Sequence, residues 1–474
     1  MHVRTIARCA LLLLLVSSHA AKAQNLDALH AEIDRLADQV EPKVIEARRH
    51  LHQHPELGNR EFETAKFVAK RLRDLGLSVQ TGVAHTGVVA VLKGGLPGPV
   101  IALRADMDAL PVAEEVDLPF ASKVKTTFDG KDVGVMHACG HDAHTSTLLG
   151  VAEVLSQMQP RLKGTVKFIF QPAEEGAPDG EEGGAQLMLK EGVFKTAPIP
   201  EVVFGSHVFA QWQVGTIAWK SGGAMASADD LKIVVRGKQT HGAAPWQGID
   251  PIVIASQIVM GLQTVASRQM NVGKAPVIVS IGKFDGGVRS NIIPDSVTMK
   301  GSLRSLDPVM RKDLAERVRR TAVNIAEASG ATAEVTIGGE TAYPVTYNDP
   351  ALTERILPTL KRVAGEGKVI PAEAMMGAED FSYFAQTVPG YFVFLGAGGN
   401  GFDATPDGTL EAQADYDVFG TSVASAGDVD GDGFDDVLVG ARSRADLFLG
   451  GPGTLFDAQV DQAFHDVQKV LWGA

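Results

Sequence analysis

The sequence predicts an α/β protein with a smaller α+β domain inserted into it. Short apolar runs bounded by Gly or Pro, such as 88–92 and 100–103, are typical of buried strands. They alternate with helical stretches such as 151–158, as in a mostly parallel sheet with flanking helices. Residues 216–336 instead follow a β-α-β-β-α-β order, which predicts a ferredoxin-like unit. From about Thr409, Gly and Asp become dense, and we expect a short β-type tail.

These changes divide the chain into residues 1–23, an α/β domain of 24–215 with 337–408, the insert 216–336, and the tail 409–474. The α/β domain should begin with a helical region over about 26–76, since apolar residues recur there at helical spacing before Gly76. Its further elements are expected as strands at 88–92, 100–103, 165–170 and 202–205 and helices at 151–158 and 182–190. Those of the insert are expected as strands at 231–235, 277–284, 296–303 and 333–337 and helices at 251–267 and 308–329.

Length and composition narrow the class of protein. The chain has 474 residues, enough for several domains at roughly 100–200 residues each. Hydrophobic residues make up 45% and charged residues 21%, the balance of a globular protein. The net charge of −13 argues against a nucleic-acid partner, which would require a basic surface.

The first 23 residues have the pattern of a secretory signal peptide. Arg4 and Arg8 precede an apolar run, 11–16, and Ala21-Lys22-Ala23 provides a small-residue cleavage site. The run is much shorter than the roughly 20 residues of a membrane-spanning helix. We therefore expect a secreted or periplasmic protein with no membrane span after signal removal; the alternative is an uncleaved N-terminal anchor.

The densest group of chemically active residues lies between Arg104 and His144. Two carboxylates, Asp106 and Asp108, follow an apolar strand, where open α/β sheets place their sites. Residues 136–144 then combine one thiol, three imidazoles and a carboxylate, which suit zinc, cobalt or manganese. The alternative is a polar helix start with a packed cysteine. Cys139 is the only cysteine left without the signal, so an internal disulfide is excluded.

Further candidates follow later strands. Glu174 and Glu175 come after the strand at 165–170, where one carboxylate can bind metal while the other acts as general base; alone, such a pair is usually solvated. His207 follows the strand at 202–205 and is a further ligand candidate. Glu379 and Asp380 add two acids near the end of the α/β domain.

The insert contributes three polar candidates. His241 could donate to a developing oxyanion, although a single loop histidine is more often structural. Arg289, with Asn291 nearby, offers the paired donors that suit a carboxylate, in a segment that is also a turn between strands.

Several ordered motifs resemble the aminoacylase/carboxypeptidase superfamily of two-metal hydrolases, in the branch of hippurate hydrolase, indoleacetyl-amino-acid hydrolase and N-acyl-amino-acid amidohydrolases. The likeness covers about residues 40–396. The motifs are His54-Pro-Glu-Leu-Gly58, Arg104-Ala-Asp-Met-Asp-Ala-Leu-Pro111, His137-Ala-Cys-Gly-His-Asp-Ala-His144, Gln171-Pro-Ala-Glu-Glu175, Thr240-His-Gly242, Asn291-Ile-Ile-Pro294 and Ala378-Glu-Asp-Phe381.

The resemblance implies a metal-binding α/β domain with a lid domain that dimerises, and hydrolysis of N-acyl amino acids such as hippurate-like or N-acetyl compounds, with dipeptides as further substrates. It implies two divalent ions (Zn, Mn or Co). The ligands it implies are Cys139, His141, Glu175 and His207. It implies that Glu174 is the general base and that His241 assists the oxyanion across a dimer. It also implies that Arg289 and Asn291 lie near the substrate carboxylate.

The chain departs from this family pattern near its end. Family members carry a last ligand histidine beyond a Phe-Leu-Gly motif, which is here Phe394-Leu-Gly396, but 397–408 contain no histidine. His465 is the only later histidine, and its context does not match. The second metal should therefore be held weakly, and the alternative is a catalytically impaired derivative.

The tail resembles a single FG-GAP blade of the integrin type. Asp428, Asp430, Asp432 and Asp436 have the spacing of a calcium loop, with a solvated acidic turn as the alternative. A single blade needs neighbours to bury its faces. A third hypothesis is a calcium-dependent binding protein that acts through this tail.

Overall fold

A computed structural model describes residues 3–116, 118–339 and 342–398 and four strands of the tail. Side chains are described from residue 26 to residue 398, with the same gaps. The chain divides into two compact units, Met1–Val208 with Ile217–Leu395, and Phe209–Thr216 with Gly396–Ala474. The domain boundaries expected from the sequence stay predictions.

The helices are α1 Val3–Gln53, α2 Phe62–Asp74, α3 His141–Gln157, α4 Gly184–Lys190, α5 Pro251–Thr264, α6 Pro308–Ala328, α7 Pro350–Ala364 and α8 Phe381–Ala385. The continuous helical region expected over 26–76 is wrong, because 54–61 separate α1 from α2. Pro55 explains the break, since a proline disfavours the α conformation of the residue before it. Among the described helices, none combines the length and apolarity needed to span a membrane.

Nine strands precede the lid, which we define as residues 229–337. They are β1 Ser78–Val83, β2 Gly87–Lys93, β3 Leu96–Asp106, β4 Lys125–Phe128, β5 Lys131–Gly134, β6 Lys163–Gln171, β7 Val202–Gln213, β8 Ile217–Trp219 and β9 Gly222–Met225. The lid contains β10 Asp229–Arg236, β11 Thr240–His241, β12 Val277–Gly286, β13 Ile292–Ile293, β14 Ser296–Ser305 and β15 Thr332–Ile337. After it come β16 Thr346–Asn348, β17 Val369–Pro371 and β18 Gly390–Gly398, and in the tail β19 Ser422–Gly427, β20 Asp436–Gly440, β21 Arg444–Phe448 and β22 Gln462–His465.

The large sheet has eight strands in the order β1-β2-β6-β3-β7-β18-β8-β17. β3 is parallel to β6 and β7, whereas β2 pairs antiparallel with β1 and β6. The α/β class is thus confirmed, and the sheet is mixed, with β6, β3 and β7 parallel at its centre and β8 and β17 parallel at one edge. Phe168 and Phe170 of β6 pack with Val68 and Leu72 of α2 in the core beneath it. The parallel arrangement brings the carboxyl ends of β3 and β6 to one edge of the sheet.

The lid is the ferredoxin-like unit expected from the sequence. Its antiparallel sheet has the order β12-β14-β10-β15, and α5 and α6 pack on it. Asp250 and Asp307 cap these helices, since each carboxylate accepts hydrogen bonds from two backbone amides of the first turn. A π-helical turn, Val265–Gln269, follows α5.

The tail forms an antiparallel meander in which β19, β20, β21 and β22 are paired in chain order. This confirms the expected β-type tail at the level of the backbone. Asp428, Asp430 and Asp432 lie outside the described residues, and of Asp436 only the backbone, at the start of β20, is described. The calcium loop therefore stays a prediction.

Candidate active site and metal centre

The candidate site lies where several chain segments converge at one edge of the large sheet. Asp106 ends β3, Gln171 ends β6, and His141 begins α3. The helix expected at 151–158 therefore starts ten residues early, which places His141 in its first turn. Gly140 precedes it with φ +87°, and a Cβ there would lie 2.4 Å from Cγ2 of Val208, so only glycine fits.

The structure brings the four predicted ligands and the predicted base together. Cys139 Sγ lies 3.3 Å from His207 Nε2. His141 Nε2 lies 3.9 Å from Glu174 Oε2 and 3.9 Å from Glu175 Oε1. His141 thus belongs to three groups whose ligand atoms lie within 4.8 Å of one another: one with Cys139 and His207, one with the two glutamates, and one with Asp106 and His144. We call the first two groups, Cys139, His141, Glu174, Glu175 and His207, the metal-ligand cluster.

His207 does not end its strand as predicted, because β7 continues to Gln213. Its Nδ1 contacts the carbonyl oxygen of Val208 at 2.7 Å, an arrangement in which Nδ1 donates and Nε2 faces Cys139. Burial lowers the pKa of His207 to about 3. A neutral imidazole is the form that binds metals.

The residues present fit divalent metal ions. His141 is completely buried, and within the described residues neither of its ring nitrogens has a hydrogen-bond partner. Leaving a buried polar atom unsatisfied costs about 1–3 kcal/mol, so such an atom calls for an explanation. The thiol, imidazole and carboxylate donors around it are those of zinc, cobalt and manganese sites.

Asp108 is a residue whose role sequence reasoning missed. Its Oδ1 lies 3.3 Å from His141 Nδ1, and its Oδ2 accepts a hydrogen bond of 2.9 Å from the backbone amide of Glu175. Asp108 thus contacts both the ring of His141 and the backbone of Glu175. A carboxylate behind a ligand histidine fixes the ring and raises its basicity. The position of Asp108 just after a strand was the available signal.

A second missed feature is the buried ion network around Arg104. Its guanidinium pairs with Asp106 at 2.6 Å and with Glu379 and Asp380 at 2.9 Å each. Its Nε also donates to Gln171 Oε1 at 2.8 Å. Burial opposes the charge on Arg104, but these carboxylates outweigh it and raise its pKa. The guanidinium of Arg104 is therefore the cation shared by acids from two motifs that are far apart in the chain, 104–111 and 378–381.

Glu174 lies against this network and is almost completely buried. Burial raises the pKa of Glu174 well above its ordinary value, Glu379 and Asp380 raise it further, and His141 opposes them. Its Oε1 accepts a 3.2 Å hydrogen bond from the backbone amide of Asp380. A carboxyl group whose pKa is raised is suited to take up and return a proton.

The three imidazoles of 136–144 have different environments. His144 Nδ1 lies 2.6 Å from Asp106 Oδ1, and its Nε2 accepts a hydrogen bond from the amide of Val208, so both nitrogens are engaged. Burial lowers the pKa of His137 to about 4. Only His141 of the three belongs to the metal-ligand cluster.

The lid candidates form a separate exposed group. β11 pairs with β13, and the amide of Gly242 donates to the carbonyl oxygen of Asn291 at 2.8 Å. This ladder brings His241 close in the fold to Asn291 and Arg289, and all three are exposed. His241 Nδ1 accepts a hydrogen bond from Ala243 within its own loop. We call these three residues the lid cluster.

Comparisons with known proteins agree with this architecture. The model of Peptidase family M20/M25/M40 matches residues 102–422, and that of the FG-GAP repeat matches residues 419–454. Thermostable carboxypeptidase 1 of Saccharolobus solfataricus is 42% identical over 76% of this chain and 86% of that protein. N-acetylcysteine deacetylase of Bacillus subtilis is 39% identical over 78% of this chain and 93% of that protein.

A solved structure from Bacillus subtilis, described as a dinuclear metal binding peptidase from the M20 family, aligns with a TM-score of 0.64. It is 38% identical and covers 76% of this chain and 89% of its own. Because the family model spans more than half of the chain, the chain belongs to peptidase family M20/M25/M40 and is a metal-dependent hydrolase.

Proposed function

We propose that this hydrolase cleaves the amide bond of N-acyl amino acids, hippurate-like or N-acetyl compounds, with dipeptides as further substrates. The observation that carries the proposal is the buried His141, whose unpartnered ring lies between Cys139 and His207 on one side and two glutamates on the other. The relative named N-acetylcysteine deacetylase supports the substrate class.

Cys139, His141, Glu175 and His207 would hold two divalent ions, Zn²⁺, Mn²⁺ or Co²⁺. Such ions, when bound, polarise a carbonyl oxygen and lower the pKa of water. Glu174 takes a proton from the attacking water and returns it to the leaving amine. Its surroundings favour this role, since burial and the nearby acids raise its pKa and so favour the protonated form that exists between the two proton transfers.

The lid cluster supplies the remaining roles in this proposal. His241 donates to the developing oxyanion, and Arg289 and Asn291 bind the substrate carboxylate. We propose a homodimer in which a second copy brings its lid cluster to the site. Exposed apolar side chains of the lid support association, since Trp246 is 77% and Met260 71% exposed.

The signal-like residues 1–23 support export to the periplasm or the medium. The FG-GAP match at 419–454 supports calcium binding through Asp428, Asp430, Asp432 and Asp436. It also supports the second candidate function, a calcium-dependent binding protein acting through the tail. The missing histidine after Gly396 favours an impaired enzyme with a weak second metal.

The test is hydrolysis of N-acetyl and N-benzoyl amino acids by the purified protein with Zn²⁺, Mn²⁺ or Co²⁺. Glu174→Gln should lower kcat by about 10²- to 10⁴-fold, because it removes the general base. Glu373→Gln, at an exposed position, is the matched control. Turnover that survives both a chelator and Glu174→Gln contradicts the proposal. Absence of turnover with every metal supports the impaired derivative.

A further inference from the structure

A cavity of about 490 Å³ opens directly beside the metal-ligand cluster. Asp108 and Glu175 are among its lining residues. Its walls are the 55–58 segment, residues 110–111, and one side of the β4–β5 hairpin with the residues before it, 124–129. Small-molecule sites commonly have volumes of about 300–1,000 Å³, so this cavity has the size of a ligand site.

Two of the charged groups in these walls, Glu56 and Arg60, already have protein partners. The carboxylate of Glu56 accepts hydrogen bonds from the backbone amides of Glu63 and Thr64, at 3.2 and 2.8 Å. Arg60 is paired with Glu181 at 2.6 Å. The hairpin adds four exposed polar or charged residues, Lys125, Thr126, Thr127 and Asp129, and the rest of the lining that faces a ligand is mainly apolar. The apolar lining residues are Leu57, Leu110, Val124, Phe128, Val135 and Pro178.

A larger cavity of about 710 Å³ is the rival site. It reaches Asp380 and Tyr343, but its lining includes none of Cys139, His141, Glu175 and His207. A group attached to the scissile carbonyl must lie within a few bonds of the residues that act on that carbonyl. Only the smaller of these two cavities meets this requirement, because it opens on Glu175.

We propose that the 490 Å³ cavity binds the acyl half of the substrate, and that it selects an apolar acyl group larger than acetyl, such as benzoyl. The inference rests on the proposed function and deepens it. An N-acyl amino acid has one charged half, which needs cationic and polar donors, and one half that can be wholly apolar. An acetyl group would leave most of the cavity to water, whereas an aromatic ring removes apolar wall surface from water.

Phe128 and Leu57 are the specificity-determining residues in this proposal. Phe128 lies at the end of β4 and is 37% exposed, so its side chain is not required for the core. Leu57 is half-buried in the wall formed by the 55–58 segment. Phe128→Ala removes a wall contact, and Leu57→Trp fills part of the cavity. Neither residue belongs to the metal-ligand cluster, so both changes should act on acyl preference.

The experiment compares N-benzoyl-alanine with N-acetyl-alanine. The unaltered protein should prefer the benzoyl compound in kcat/KM by about tenfold or more, the range that a hydrophobic pocket provides. Phe128→Ala and Leu57→Trp should each lower that ratio by about tenfold. Lys131→Ala, which alters the paired position on β5 outside the cavity lining, should leave the ratio unchanged.

Calorimetric binding of the same two compounds to the same proteins gives the ratio without turnover. Loss of hydrolysis therefore overturns the proposed function, whereas the cavity assignment is judged on the binding ratio. An acetyl preference in the unaltered protein, or an unchanged ratio in both Phe128→Ala and Leu57→Trp, overturns the assignment. So does a change confined to the preference between N-benzoyl-alanine and N-benzoyl-leucine, which would place the amino-acid side chain in this cavity.

Discussion

The metal-ligand cluster and the lid cluster place polar residues in opposite surroundings. His141 is completely buried among groups supplied by β7, α3 and the segment after β6. His241 is exposed on a two-stranded ladder, and the hydrogen bond to its ring comes from its own loop. Packing fixes the first cluster within one chain. The residues of the second cluster lie exposed on the lid, which is why we propose that they act in an assembly.

The largest effect should come from breaking the network that supports the first cluster. Arg104→Met leaves Asp106, Glu379 and Asp380 without their buried cation and should lower the free energy of unfolding by about 3–5 kcal/mol. Urea denaturation of metal-free protein measures this. Arg236→Met, which breaks the exposed pair with Glu334, should cost less than about 1 kcal/mol. Equal losses in the two variants would show that the Arg104 network carries no special weight.

The next effect concerns the lid cluster. His241→Ala should lower kcat by about 10²- to 10³-fold, the usual cost of losing an oxyanion donor, with no loss of folding stability because the side chain is exposed. Gln239→Ala, two residues away and also exposed, is the control. Mixing His241→Ala with Glu174→Ala protein should restore part of the activity, since one site then combines intact residues from two copies. Two inactive variants that stay inactive after mixing argue against a shared site.

Metal binding should separate the two clusters. Zn²⁺ at about 100 times its dissociation constant should stabilise the protein by about 2.7 kcal/mol. This gain should disappear in His141→Gln and persist in His241→Gln, because only His141 lies in the metal-ligand cluster. Thermal unfolding with and without Zn²⁺, after chelation, is the measurement. A gain that His241→Gln also removes would mean that the lid holds part of the metal.

The smallest effect is pH-dependent and concerns the support of α3. His52 contacts Asp142 and Glu114 at 2.9 Å each. The hydrogen bond with Asp142 raises the pKa of His52, although burial opposes it. A histidine whose pKa is higher in the folded than in the unfolded protein stabilises the folded state. This stabilisation is fully present below the unfolded-state pKa of about 6.5 and is lost as the pH rises through the folded-state pKa.

The stability difference between the unaltered protein and His52→Gln should therefore shrink as the pH rises above about 6.5. Urea denaturation of metal-free protein at several pH values measures it. His85→Gln, at an exposed histidine, should show no such trend. A constant difference for His52→Gln across the range would mean that the contact is independent of protonation.

Sequence patterns predicted the α/β class and the ferredoxin-like lid well, because hydrophobic periodicity reports which face of an element is buried. They were less accurate at ends and breaks. The helix over 26–76 is interrupted at Pro55, and β7 runs past the expected end at 205. Where a strand ends depends on the neighbouring strands with which it pairs. β7 lies between β3 and β18 in the sheet, and this pairing cannot be read from the apolar pattern of residues 202–205.

The sequence by itself determined which side chains are available for chemistry. Cys139 precedes a helix that His141 begins, and Glu174 and Glu175 follow a strand, so local pattern places these residues at the edge of the sheet. It determined equally that 397–408 contain no histidine. Residue type and position relative to a helix or strand are local properties, so they can be read from a short segment without knowledge of the rest of the fold.

Only the tertiary structure decided how those side chains are used. Arg104 balances Glu379 and Asp380 because β3 and the start of α8 meet in space, although they are far apart in the chain. Both nitrogens of His144 are engaged, by Asp106 and by the amide of Val208, whereas those of His141 lie among candidate metal ligands with no hydrogen-bond partner among the described residues. Charge balance and burial depend on every neighbour within a few ångströms, and only the folded chain brings those neighbours together.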